Sequence, residues 1–174
     1  MRPKKKLRRK TTTALSPTKI PKGFVLLIDT REQKPLFVSP PDGLVVKHTK
    51  VDVGDYTVEG FEDRVCVERK QLSDFDSFMG RERNEHTIPK LKRMSAMIHN
   101  NGFSALVIEC SEAKLFSKRR YGKMTPEHAR GFLKKVEVGF HIPYHIEPNR
   151  AKLERYVLDS LCYAYEIMSN TKGV

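Results

Sequence analysis

The sequence predicts an α/β domain in which a mixed central sheet is flanked by helices on both faces. Two short continuous apolar runs, "FVLLID" (24–29) and "FSALVIEC" (103–110), have the length and content of strands covered on both sides. Other stretches place apolar residues every three or four positions, as helices packed along one stripe do. Strand-like and helix-like segments also alternate along the chain, which favours one layered domain over separate blocks.

Taken in order, the first strand ends at Asp29. After the turn-rich "SPPDG", the run "LVVKHTKVDV" (44–53) reads as a second strand that "DYTV" continues towards a turn at "EGFED". "RVCVERK" (64–70) returns as its hairpin partner, so these runs are expected to form an antiparallel meander. A helical region follows, with Ser73 and Thr87 as candidate caps, Leu91, Met94 and Ile98 on one face, and Asn101-Gly102 as the stop. "FSALVIEC" is then a buried strand, and "SEAKLFSKRRYGKM" (111–124), charged and without period, reads as a basic loop. Thr125-Pro126-Glu127 supplies an N-cap, a first-turn proline and a first-turn acid for a helix to about Val138. "FHIPYHIE" (140–147) reads as the last strand, at an edge because Pro143 cannot donate to a ladder. The final helix runs from about Arg150 to Met168, with Leu153, Val157, Leu161, Ala164 and Met168 on one stripe.

A chain of 174 residues suits one domain with a single core. No apolar run approaches the length of a membrane span, and the basic start continues into Thr, Ser and Pro, so neither a membrane anchor nor a signal peptide is expected. The expected location is intracellular: the cytoplasm of a prokaryote or of a virus-infected cell, or the nucleus if the source is eukaryotic. Three cysteines without CxxC spacing indicate neither disulfides nor a zinc knuckle, and read as small buried hydrophobes. His141 and His145 flank Pro143 in a strand-like run and are not read as zinc ligands. The net charge of +12 is concentrated at the start, where residues 1–22 hold nine Lys or Arg and no acid. That segment is expected to be a disordered basic arm and linker, residues 23–170 the folded domain, and 171–174 a tail. Such an arm attracts nucleic acid without reading sequence; a solubilising or targeting tail is the plainer reading.

The oddest feature is "VCVERKQLSD" (65–74), a strand that ends in three successive charges. Alternation puts Glu68 and Lys70 on one side and Arg69 on the other. Across the hairpin, Asp55 lies where a second carboxylate can meet Glu68. Two carboxylates and a lysine at one point suit a hard divalent cation, above all Mg²⁺, which takes one or two carboxylates, keeps several waters and accepts phosphate oxygens. Such an ion lowers the pKa of a bound water, and Lys70 beside it can steady negative charge on a phosphodiester under attack. An ordinary surface ion-pair cluster is the alternative, and the short pattern alone does not separate the two.

"IDTRE" (28–32), "GDY" (54–56) and "VERKQLSD" (67–74), in this order and at these separations, resemble the XPF-type nuclease family, whose hallmark is Gly-Asp followed by Glu-Arg-Lys-x-x-x-Asp. The resemblance is close through residues 24–110 and looser to about 168. It implies a restriction-endonuclease-like fold and Mg²⁺-dependent hydrolysis of DNA, with Mn²⁺ able to substitute and no small-molecule cofactor. Junctions, flaps or other structured DNA are the implied substrates. It implies that Asp55 and Glu68 bind the metal, that Lys70 is catalytic, and that the Arg69 carbonyl contributes at the metal. Supporting roles are implied for Asp29, Arg31, Glu32, Arg69 and Asp74. Both arginines suit bidentate clamping of a phosphate or carboxylate. For Asp74 two readings stay open, a partner of Lys70 or Arg69 and a cap on the following helix.

Candidate DNA contacts are Arg81 and Arg83 in "GRERNEHTIPKL", and Lys118, Arg119, Arg120 and Lys123 around Tyr121; solvated surface explains both groups nearly as well. No tandem helix-hairpin-helix module is expected after the nuclease domain. A homodimer is plausible by resemblance, although the apolar residues of the last helix read first as core. The rival to an active nuclease is a non-catalytic DNA-binding or scaffold domain of the same fold. Retention of Asp55, Glu68 and Lys70 favours the enzyme. A small RNA-binding protein led by its basic arm would leave the carboxylate motifs unexplained.

Overall fold

The computed structural model describes residues 18–80, 84–119 and 124–171. Its elements are β1 (Val25–Asp29), β2 (Val45–Thr49), β3 (Tyr56–Val58), β4 (Val65–Gln71), α1 (Leu72–Met79), α2 (Asn84–His99), β5 (Phe103–Glu109), α3 (Glu112–Leu115), α4 (Pro126–Lys134), β6 (Tyr144–Ile146) and α5 (Arg150–Thr171). Among the described residues one six-stranded sheet runs in the order β2-β1-β3-β4-β5-β6. β5 and the first three residues of β4 are apolar on both faces because both faces are covered, and the two strands pair in parallel from Val65↔Phe103 to Gln71↔Glu109. Their carboxyl ends therefore open at one edge of the sheet, the usual place for a site in an open α/β fold.

Each face has its own core. Leu26, Ile28, Val65, Val67, Ala105 and Val107 pack under α5, through Leu153, Val157, Leu161 and Met168. Cys66, Leu106 and Ile108 pack on the opposite face under α1, α2 and α4, through Phe75, Leu91, Met94 and Leu133. This is the expected sheet with helices on both sides. β6 is an edge strand, as Pro143 requires, and α4 opens with the Thr125 cap, which forms a reciprocal pair with His128. The three cysteines are buried, and burial pushes their thiols up. No helix among the described residues is long and apolar enough to cross a membrane.

The meander is corrected. β2 lies parallel to β1 at the sheet edge, and "DYTV" is a separate strand inserted between β1 and β4, antiparallel to both. The chain leaves β2 at Thr49, and Gly54, at φ +83, turns it just before Asp55 into β3. Neither proposed cap acts as one. α1 follows Gln71 with no side-chain cap, Ser73 lies within it, and Thr87 lies inside α2, donating to the Phe78 carbonyl at 3.0 Å. The basic loop contains the short α3, whose N-terminus Ser111 caps.

Packing begins before Gly23. Thr18 donates to Asp159 at 2.6 Å, Ile20 packs against the α5 core, and the Tyr165 hydroxyl donates to the Lys22 carbonyl at 3.3 Å. Residues 18–22, expected to belong to the linker, thus lie against α5, where Ile20 finds a surface to bury. The rest of the arm, and residues 172–174 of the tail, lie outside the described residues.

Candidate active site

β4 divides its three charges between the two faces of the sheet. Glu68 and Lys70 emerge beside α2, following Cys66, and Arg69 emerges beside α5, following Val67. Glu68 has no exposed surface. Its Oε1 accepts from Lys90 on α2 at 2.7 Å and pairs also with Lys70. Its Oε2, equally buried, has no hydrogen bond to a described residue. Lys70 also reaches the Arg69 carbonyl at 3.2 Å and lies over the Phe78 ring, 5.2 Å from its centre.

Asp55 is placed by its backbone. Its N–H donates to the Val67 carbonyl and its own carbonyl accepts from the Asp29 N–H, both at 2.9 Å, fixing it between β1 and β4. The Gly54 turn brings that backbone so close to β4 that a Cβ on Gly54 would lie 2.9 Å from the Cys66 Cβ. The Asp55 carboxylate accepts from the Arg69 N–H at 2.7 Å. Burial and the neighbouring Glu68 charge push its carboxyl up to about 7, against the pull of Lys70, the Arg69 N–H and Lys90. Burial works against Glu68 as well, but there the charges and hydrogen bonds of Lys70 and Lys90 win, holding it below the usual carboxylate range. Glu68 thus lies wholly buried with two ammonium groups on one of its oxygens, and Asp55, buried nearby, feels its charge.

The opposite face is a scaffold. Arg69, almost wholly buried, donates through Nε to Glu109 at 2.9 Å and through a terminal nitrogen to Glu32 at 3.3 Å. Arg150, at the start of α5, also reaches Glu109 at 3.4 Å and donates to the Lys34 carbonyl at 3.0 Å. Asp29, 2% exposed, accepts from the Arg31 N–H at 2.8 Å and from its Nε at 3.0 Å. Burial raises the Asp29 pKa, but Arg31 outweighs it and holds the carboxyl below its usual value. The Tyr56 hydroxyl accepts from the Leu36 N–H at 2.8 Å, fastening the loop after Arg31 to β3. Asp29, Arg31, Glu32 and Arg69 hence shape the rim and floor of the site.

Asp74 is exposed in the first turn of α1 and lines the cleft, where its charge adds to the forces keeping Lys70 protonated. It makes no N-cap, which Gln71 occupies without a side-chain bond. Arg119 does not face the cleft: it forms a two-bonded pair with Asp76, at 2.7 and 2.9 Å, that ties the segment after α3 to α1. Lys118 is exposed. Arg81, Arg83, Arg120 and Lys123 lie outside the described residues.

A cleft of about 750 Å³ brings Asp29, Arg31, Glu32, Asp55, Arg69, Lys70 and Asp74 together, while Glu68, wholly buried beneath Lys70 and Lys90, is not among the residues that line it. It also contains three residues that the sequence reading passed over: His86, Lys90 and Arg93 on α2. Glu109 and Arg150 were missed too. Glu109 carries the same signal as the 68–70 charges, an acid at the end of a fully apolar strand. Lys90 gives a weaker one, a cation beside Leu91 and Thr87 on the buried stripe of an amphipathic helix.

The sequence model of the ERCC4 domain matches residues 28–159. Among solved structures, XPF from Aeropyrum pernix is similar with a TM-score of 0.54 and 20% identity over 79% of this chain and 59% of that one. XPF from Aeropyrum pernix in complex with DNA is similar with a TM-score of 0.57 and 18% identity over 84% of this chain and 66% of that one. At such identities these likenesses show the fold, and the chain spans somewhat under two thirds of the length of either. No curated protein matches.

Proposed function

The chain belongs to the ERCC4 domain family, with the fold of an XPF-type nuclease domain, and from that premise we propose that it is a metal-dependent DNA endonuclease hydrolysing phosphodiester bonds. The observation that carries the reading is the orphaned oxygen of Glu68. A buried carboxylate oxygen without a donor is costly unless a cation or a proton supplies what is missing. Glu68 is held ionised by two lysines, so a cation is the better answer.

The residues present fit Mg²⁺ or Mn²⁺. Among the described residues no three His, Cys, Asp or Glu side chains cluster as a ready metal cage. The donors that converge are Asp55, Glu68 and the Arg69 carbonyl, a small oxygen set of the kind Mg²⁺ completes with water and substrate phosphate. When bound, the ion would supply a water of lowered pKa and neutralise charge on the phosphate. Lys70 would hold a phosphate oxygen or the attacking water. Burial lowers its pKa, but the Glu68 and Asp55 charges more than offset that, so it is raised and Lys70 acts as a cationic donor rather than a base. Arg31, largely exposed at the rim, suits a phosphate neighbouring the scissile one.

Structured DNA such as junctions or flaps is the substrate class the family suggests. The test is cleavage of end-labelled linear, flap and four-way DNA with Mg²⁺ or EDTA. Cutting that needs the metal and disappears in Asp55→Asn and Glu68→Gln supports the reading. Binding without cutting on every substrate would favour the scaffold role instead.

A further inference from the structure

Across the cleft from the strand ends, α2 presents His86, Lys90 and Arg93 on one face, at intervals of four and three residues. His86 and Arg93 are exposed, and Lys90 is partly so, its side chain 29% accessible. Among the described residues Arg93 makes a long contact, 3.4 Å, to the Asp52 carbonyl. We propose that this face of α2 is a phosphate-binding wall, on which Lys90 and Arg93 hold backbone phosphates flanking the scissile one, Lys90 leaving Glu68 to do so. The proposal rests on the nuclease reading and names how its substrate is gripped.

The charge count at the floor carries the argument. Asp55 and Glu68 are balanced by Lys70 and Lys90, which share their field and, at Glu68, a single oxygen. Asp55 and Glu68 would turn to a divalent cation if they held one, and the two ammonium groups would then be left short of anions. Lys70, its side chain 17% accessible with the ammonium over the Phe78 ring and against the Arg69 carbonyl, stays at the floor. Lys90, 29% accessible and standing on the helix wall, is the one free to turn outward. The new partners must be anions that arrive with the metal bound, and DNA phosphates spaced along a strand match a row of cations spaced along a helix. Lys90 thus has two states: counter-ion to Glu68 in the free protein, and phosphate contact in the complex.

The test measures binding of a fluorescein-labelled duplex to the full chain across a salt series, in Ca²⁺ to suppress cutting. The proteins are wild type, Lys90→Met, Lys90→Arg, Arg93→Met and, as a control outside the cleft lining, the exposed Lys152→Met. Each cleft substitution to Met is expected to weaken binding and reduce the salt slope by about one. Lys90→Arg should restore most of it, and Lys152→Met should leave it unchanged. Arg93 is exposed, so its variant should fold normally; thermal melts check both. Wild-type binding with an unchanged slope in Arg93→Met and Lys90→Met would overturn the wall while leaving the nuclease reading intact. No wild-type binding of DNA would overturn both.

Discussion

Arg69 and Glu109 meet across the ends of two parallel strands: the Arg69 Nε lies 2.9 Å from the Glu109 carboxylate, and the arginine side chain is 3% accessible. This pair fixes the strand whose next carbonyl and side chains form the floor of the site. It also explains why a strand ends in three charges. One of them, Arg69, is an anchor to Glu109 and Glu32, while Glu68 and Lys70 pair with each other on the face beside α2.

Removing the anchor should therefore be costly. Glu109→Ala leaves a buried guanidinium with only Glu32, and a loss of about 3 kcal/mol is expected, a fall in Tm on the order of 10 °C for a chain of this size. Glu109→Gln should lose less. Differential scanning calorimetry of both variants decides it, and a shift below about 2 °C for Glu109→Ala would mean that Arg69 finds water instead.

The Gly54 turn should tolerate no side chain. Alanine there pays for a left-handed backbone and for overlap with Cys66 and the Val67 carbonyl. Gly43, at φ +82 with nothing within 4 Å of an added Cβ, isolates the backbone part. Gly43→Ala should cost about 1–2 kcal/mol, and Gly54→Ala about 2 kcal/mol more, by urea denaturation. Equal costs would refute the close approach that places Asp55.

The pH behaviour follows from Asp55. Its folded pKa, raised from an ordinary 3.8 to about 7, means that the native protein binds the extra proton between those values. The stability this contributes without metal is fully present below the unfolded value and is lost as pH rises through about 7. Metal binding runs the opposite way, because the ion needs the carboxylate. Mn²⁺ affinity by calorimetry should fall by about tenfold for each unit of pH below 7, and Asp55→Asn should bind weakly at every pH. A flat wild-type profile would contradict the coupling.

Lys70→Met should cut turnover by roughly 10²- to 10³-fold. Mn²⁺ affinity should not fall, since the variant removes a cation and no ligand. A loss of metal binding equal to that of Glu68→Gln would reassign Lys70 to holding Glu68 in place.

Much of this was readable from residue order. Alternation alone placed Glu68 and Lys70 together, continuous apolar runs marked β1 and β5, and Thr125-Pro126 marked the start of α4. What escaped depended on contacts distant in sequence. Lys90 meets Glu68 only because α2 crosses the sheet above it, and Glu109 meets Arg69 only because β4 and β5 are in parallel register. The path of residues 44–58 escaped for a local reason, since six residues outside any strand, with the left-handed turn at Gly54 among them, divide what reads as one long strand. Arg119 looked like a free basic residue until the fold set Asp76 against it.

If the unbonded oxygen of Glu68 and the carboxylate of Asp55 receive a divalent cation, crystals soaked in Mn²⁺ and measured at the manganese absorption edge will show it. An anomalous peak between Asp55 and Glu68 Oε2 is expected. No peak there at saturating Mn²⁺, with both lysines still on Glu68 and manganese bound elsewhere, would contradict it.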